Sequence, residues 1–451
     1  MFLLDFEVFE LLCDLLLSNL EKLIIDEKES YILVKNKFSR TRNMDFRDFV
    51  YYILINKGKT SVLEIDEFFE LRFGEDKMPV SKQNVSKQRS YLSPLIFKDA
   101  DKNGLKEIYS EESIDLDKFK GYFLLNVDGS QFDIPNTPIT REEFEVQPRA
   151  LKKNESPKAR VSVISDAKNE YILDSIISPF HRGEHSMAFE NIENASQIID
   201  FEKAIVNFDR GYPSTELYMQ LLDKNSHFIF RLKDTDYINE RKKMKTDDEY
   251  IEILLNSNRT RSIKNQELKE KANEMTHLDI RIVNVTLNTG KIETLLTNLP
   301  PEIASPKELK ELYGERWQIE KGYDILKNKL HIENFSAKKR LNIEQDFYSQ
   351  IFMYNVLISA KKDLNIKIKE EDKNKECEAE YKIDINLLAG KLKSKLFPII
   401  FTEDANERKK LWENIHRTIS RYLIKIKKKP KTKRKKKQGK IKYPYNNRKN
   451  F

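Results

Sequence analysis

Apolar positions in the first ~115 residues recur at helical spacing. The stretch MFLLDFEVFELLCDLLLSNLEKLI is rich in Leu and Phe, but Asp5, Glu7, Glu10 and Asp14 break it up and no basic segment precedes it. That pattern predicts an amphipathic helix packed on the protein itself, not a membrane span or a signal peptide. DFRDFVYYILINKG predicts a helix closed by Gly58, and Thr60-Ser61 precede a second helix, VLEIDEFFELRF. Ser81 or Ser86 can cap a third that carries Lys82, Lys87, Gln88 and Arg89. From Tyr122 the period changes to that of strands. YFLLNVDG is a short apolar run, ARVSVISD and EYILDSIIS flank Ala167-Lys168-Asn169 as a hairpin, and AIVNFD and HFIFRLK follow with helical sequence between them. Three strands, a helix, a strand, a helix and a strand predict a mixed α/β sheet with helices against it. Residues from about 234 to 308 interrupt that order, charged at first and then strand-like, with an Asn288-Thr289-Gly290 turn. Helical pattern returns after Ser305-Pro306 and continues through DFYSQIFMYNVLISAKKDL.

The resulting organisation is a helical segment over 1–118, an α/β domain over 119–345 with a mostly β insertion near 234–308, a helical region over 346–420, and a tail over 421–451. Charge sharpens the last boundary. The formal net charge is +8, yet Arg421–Phe451 holds 15 Lys and Arg and no acid, leaving −7 on the residues before it. A run so basic suits contact with a polyanion, and short helices ending in a basic segment suit a helix-turn-helix-like reader of DNA. The two cysteines, Cys13 and Cys377, support neither a disulfide framework nor a cysteine zinc site, and point to a reducing cytoplasm. His181 and His185 have the spacing of a zinc pair but lack a third ligand nearby.

The richest chemistry lies in YGERWQIEKGYDILK. Tyr313, Arg316, Glu320 and Lys327 share one edge of a predicted helix, and Leu312, Ile319, Leu326 and Leu330 share a neighbouring face that would seat it on a core. Two more acids close candidate strands: Asp128 the first and Asp209 the fourth, which can be neighbours in such a sheet. Three carboxylates meeting there could hold two hard divalent ions. Asp133 competes with Asp128 less well, because the strand ending and the Asp-Gly pair favour the latter. Asp166 and Asp174 read as turn or surface residues, and Trp317 as packing.

These segments resemble the DDE transposases of bacterial insertion sequences, in particular the IS-four group. Tyr313, Arg316, Glu320 and Lys327 match that group's signature in full, NVDGSQFDIPNTP resembles its first-aspartate segment, and NFDRGYPS resembles its second. The resemblance implies an RNase H-like core with an insertion before the glutamate helix. It also implies two Mg²⁺ (Mn²⁺ able to substitute) held by Asp128, Asp209 and Glu320, with DNA contacts from Tyr313, Arg316, Lys327 and Arg210. Double-stranded DNA is the implied partner, as transposon ends and as target, bound by a homodimer at the nucleoid of a prokaryotic cytoplasm. The alternatives are an RNase H-like nuclease without strand transfer and a domesticated DNA-binding protein.

Overall fold

The computed structural model describes residues 11–39, 43–56, 58–74, 76–146, 156–287, 289–372, 381–402 and 404–426. Cys377 and most of the basic tail lie outside them, as does Asn288 of the expected turn. The chain forms two compact units, one of residues 98–328 and 338–340, the other of 1–97, 329–337 and 341–451. The helical segments at the two ends of the chain thus share one unit, and residues 98–118 join the α/β unit.

In the helical unit, Leu11–Asp26 forms a helix with Leu12, Leu16, Leu20 and Leu23 buried, as its apolar stripe predicts. Phe46–Leu54 is capped by Asp45 in a capping box with Asp48. Ser61–Phe73 ends at Gly74, which takes positive φ, and Lys82–Arg89 is capped by Ser81. Gln88 and Arg89 are buried. Arg89 donates to Asp346 at 2.8 Å, to Gln345 at 3.1 Å and to Ser336 at 2.6 Å, so two of the four polar residues expected to face DNA are internal. Arg340–Asp372, Ile385–Phe401 and Ala405–Arg421 are helices, as the late pattern predicts. Among the described residues no helix is long and apolar enough to cross a membrane.

The α/β unit is built on an eight-stranded sheet: β1 (Phe123–Asp133), β2 (Lys158–Asp166), β3 (Ile172–Pro179), β4 (Ala204–Phe208), β5 (His227–Arg231), β6 (Asp248–Leu254), β7 (His277–Thr286) and β8 (Ile292–Thr297). Their order is β3-β2-β1-β4-β5-β8-β7-β6, with β1, β4 and β5 parallel and the other pairs antiparallel. The first five strands form the mixed RNase H-like core, and β1 and β4 are neighbours as expected. The insertion is not a separate sheet: β8 pairs with β5 and extends the core by three strands. Helix α1 (Glu184–Ala195) packs on β2 and β3, and α2 (Thr215–Asp223), capped by Ser214, packs on β5.

The hairpin β2–β3 turns where Ala167-Lys168-Asn169 predicts, because Asp166 accepts from the Lys168 and Asn169 amides. Asp166 and Asp174 are nonetheless buried, contrary to a surface reading. Asp174 pairs with Lys98 at 3.0 Å and accepts from Asn191 and Asn194, which supplies the compensation a buried carboxylate needs.

The expected long helix around the glutamate is two helices, α3 (Pro306–Gly314) and α4 (Trp317–Asn328). Ser305, Pro306 and Glu308 start α3 with a capping box and Pro in the first turn. At Gly314 the ladder tightens, with the Arg316 amide donating to the Tyr313 carbonyl at 3.0 Å. Leu312, Ile319, Leu326 and Leu330 are all buried, as the seating face requires. Leu309 and Leu312 enter one core with Leu124, Ile205 and Ile229 of the first strands and Val283 and Leu295 of the insertion. Helix α3, which leads into the glutamate helix, is therefore anchored on a platform that both parts of the sheet share.

Candidate catalytic centre

Strand alternation puts Asn126 and Asp128 on one face of β1, and Asn207 and Asp209 lie two residues apart at the end of β4. Asn126 is in register with Asn207, and Val127 with Phe208, where β4 stops. Asp128 does not close its strand, as β1 runs on to Asp133 against β2. It stands instead where β1 loses its parallel partner, which opens the space beside it. Asp133 is exposed and pairs with Lys158 at 3.2 Å, away from this point.

The break between α3 and α4 delivers the remaining groups. Tyr313 donates its hydroxyl to Asp209 at 3.2 Å. Arg316 reaches Asp128 at 3.4 Å and Glu320 at 3.2 Å, so one guanidinium bridges two carboxylates. Burial pushes Asp128 up from the ordinary 3.8 to about 6; the Gly129 amide and Arg316 oppose this, while Asp209 and Glu320 reinforce it. Burial, and next the Asp209 charge, also raise the Tyr313 phenol, so the hydroxyl stays protonated as a donor.

Three of the four helix residues thus converge on the aspartates. Lys327 lies two turns on, donating to the Gln131 carbonyl at 2.7 Å, its ammonium 4.7 Å from the centre of the Phe132 ring. Arg210 is exposed beside Asp209. Trp317, expected to pack, is 59% exposed on the first turn of α4 next to this centre. His181 approaches Glu145 at 3.6 Å, and His185 bonds the Gly211 carbonyl and stacks on Tyr212.

The structure adds residues that motif reading did not assign. Arg231 at the end of β5 lies 3.8 Å from Asp209 and 2.9 Å from Glu293 of the insertion, tying the second aspartate to β8. The buried Tyr323 donates to the Asp128 carbonyl at 2.9 Å. Tyr212 is buried with its hydroxyl unpartnered, and a Cβ built at Gly129 would come within 3.4 Å of that oxygen. The sequence signal for this pairing is an Asn-x-Asp triplet within each of two apolar strand segments, at Asn126–Asp128 and Asn207–Asp209.

Asp128, Asp209 and Glu320 offer oxygen donors only, the first two where β1 and β4 part, and their mutual repulsion would be relieved by a hard divalent cation. The donor set fits such an ion, although the ligand atoms of the three do not all lie within 4.8 Å of one another. Among the described residues, the set that does is Glu252, His277 and Asp279, exposed on β6 and β7 and apart from this centre.

Residues 124–356 match the family model described as a transposase DDE domain. The chain is 23% identical over 242 residues to the transposase InsG for insertion sequence element IS4 of Escherichia coli (strain K12). That match covers 52% of each chain, so the protein aligns with about half the length of this relative. A cryo-EM structure of the piggyBac transposase synaptic complex with hairpin DNA is similar at a TM-score of 0.44 and 12% identity, over 89% of this chain and 84% of that one. So low a likeness adds nothing to the fold read from the sheet itself.

Proposed function

Because this chain belongs to the transposase DDE-domain family, we propose that it is a metal-dependent DNA transposase that cleaves transposon ends and transfers the freed strand into target DNA. The observation that carries the reading is the meeting of Asp128, where β1 loses its parallel partner, and Asp209, at the end of β4, with the Tyr313–Glu320 segment, through Tyr313 to Asp209 and through Arg316 to Asp128 and Glu320. Asp128, Asp209 and Glu320 would hold two Mg²⁺, or Mn²⁺ in their place. Bound there, the ions supply activation of the attacking oxygen and charge neutralisation at the leaving one.

The chain's own residues do the positioning. Arg316 presents a planar cation to a phosphate as it exchanges its carboxylate partners for the DNA backbone. Tyr313 adds a neutral donor, while Lys327 and the exposed Arg210 extend the phosphate path to either side. Double-stranded DNA is the partner, as paired terminal repeats and as target, and synapsis of two ends calls for a homodimer. The helical segment near 1–118, with Lys82 and Lys87 exposed on its basic helix, is assigned to end recognition, and the basic tail to phosphate contact. The setting is the nucleoid of a prokaryotic cytoplasm.

The test is a labelled duplex carrying the gene's own flanking repeat, incubated with Mg²⁺ or EDTA, with wild type beside Glu320→Ala. Metal-dependent cuts at the repeat boundary, absent in the variant, and joined product on adding a target duplex are expected. Cuts without joining would favour a nuclease, and binding without cuts in either protein would favour a domesticated binder.

A further inference from the structure

We propose that Asn126 and Asn207 form a buried amide clamp that positions Tyr313, Arg316 and Glu320 over the two aspartates. Both asparagines are fully buried and face each other across the parallel pair β1–β4. Asn207 Nδ2 donates to Asn126 Oδ1 at 3.1 Å and to the Leu312 carbonyl at 3.0 Å. Asn126 Nδ2 donates to the Glu315 carbonyl at 3.0 Å. A flipped Asn207 would set its oxygen against two other oxygens, so the orientation of the pair is determined.

The two carbonyls are the ones that matter at the break. The break between α3 and α4 leaves the Leu312 and Glu315 carbonyls only the tighter bonds from the Glu315 and Gln318 amides, at 3.2 and 3.0 Å, in place of the ordinary helical partner, so each buried oxygen has a second acceptor site to fill. Leu312 contributes the peptide that precedes Tyr313, and Glu315 the peptide that precedes Arg316. Each asparagine therefore closes a loop. From Asn207 it runs through the Leu312 carbonyl to Tyr313, whose hydroxyl returns to Asp209, two residues further along the same strand. From Asn126 it runs through the Glu315 carbonyl to Arg316, which returns to Asp128, again two residues on. The Asn–Asn bond couples the two loops. Strand alternation makes this possible, since residues two apart share a face: the asparagine grips the backbone while the aspartate meets the side chain. Asn126 and Asn207 are positioning residues; they touch no substrate.

This inference rests on the metal-dependent reading above, and its test separates the two. Mn²⁺ binding to the full-length protein is measured by titration calorimetry for wild type, Glu320→Ala, Asn126→Leu, Asn207→Leu and Asn191→Leu. Asn191 is an equally buried amide, bonded to Ser162 and Asp174 away from the break, and controls for generic loss of packing. The clamp predicts that Asn126→Leu and Asn207→Leu weaken Mn²⁺ binding at least tenfold and slow cleavage correspondingly. Affinity for a repeat-end duplex in EDTA stays within twofold, and Asn191→Leu binds Mn²⁺ as wild type does. Should a Leu variant fail to fold, Asn126→Ser and Asn207→Ser, too short to reach the same carbonyls, carry the same comparison. Mn²⁺ affinity at the wild-type level in the asparagine variants overturns the clamp while leaving the metal reading intact. Wild-type Mn²⁺ binding that survives Glu320→Ala, or no binding at all, overturns the metal reading and the clamp with it.

Discussion

Asp128→Asn should make the metal-free protein more stable while removing its cleavage activity. The carboxyl of Asp128 titrates near 6 instead of 3.8, chiefly because burial penalises its charge. At about 1.4 kcal/mol for each tenfold change in acidity, holding it ionised costs the folded state roughly 3 kcal/mol. Asparagine recovers only part of that, because with its oxygen on the Gly129 amide its Nδ2 faces the Arg316 guanidinium, donor against donor. The expected net gain at pH 7.5 is about 1–2 kcal/mol, or roughly 3–6 °C for a unit of this size.

The sign follows from linkage. The folded pKa lies above the unfolded one, so between about pH 4 and 6 the folded state holds more protons and wild-type stability falls as pH rises. The variant's advantage should thus be complete above pH 6 and vanish near pH 4. The assay is thermal unfolding in EDTA across pH 4–8, repeated with Mg²⁺, which should stabilise wild type and not the variant. A variant less stable than wild type at pH 7.5 would refute the claim that Asp128 is held charged against a burial penalty.

Asp209→Ala and Glu320→Ala should each abolish cleavage of a repeat-end duplex while leaving its binding in EDTA nearly unchanged; near-normal cleavage by either would remove that residue from the centre. Trp317→Ala should shift unfolding by less than about 0.5 kcal/mol, as expected of an exposed site, yet weaken binding of the repeat end in a gel-shift assay; equal binding would exclude a DNA contact. Arg281→Ala should destabilise the α/β unit by about 2–4 kcal/mol in urea unfolding, because it leaves the Leu299 and Ala304 carbonyls without their buried donor and Asp248, 30% exposed, without its partner. Arg281 is fully buried, binds Asp248 through both oxygens and donates to the Leu299 and Ala304 carbonyls, where the chain turns toward α3. A loss below 1 kcal/mol would show that the insertion does not depend on it.

Local chemistry made much of this molecule legible from the chain alone. ARVSVISD and EYILDSIIS are short β-branched, apolar-rich runs separated by Ala-Lys-Asn, and that proximity with a turn between them determines a hairpin. Ser81, Ser214 and Ser305 mark helix starts because their side chains accept from amides three residues on, and that geometry needs no tertiary partner. The signature Tyr313, Arg316, Glu320 and Lys327 and the two aspartate segments were readable as residue types in order. Their spacing alone, however, predicts one continuous helix. The break at Gly314 is invisible to periodicity, since the apolar face of Leu312, Ile319 and Leu326 survives it.

What the tertiary structure alone decided are the relations between distant segments. The insertion's strands look independent along the chain, yet β8 adds to β5, because a parallel core strand left at an edge still has hydrogen-bonding groups to satisfy. Arg89 reads as a cation for DNA, but Asp346 and Gln345, more than 250 residues away, claim it. The acid at position 174 reads as surface until Lys98, Asn191 and Asn194 gather around it. The Asn-x-Asp triplets at Asn126 and Asn207 carry no local meaning, as an asparagine in a strand is ordinarily a poor fit and a third such triplet, at Asn43, precedes a helix. Only when β1 and β4 pair in register do the two amides meet each other and the broken helix above them. Sequence sets propensities and the chemistry each residue can offer; which carbonyl takes a second donor depends on where the chain elsewhere has tightened its own hydrogen bonds.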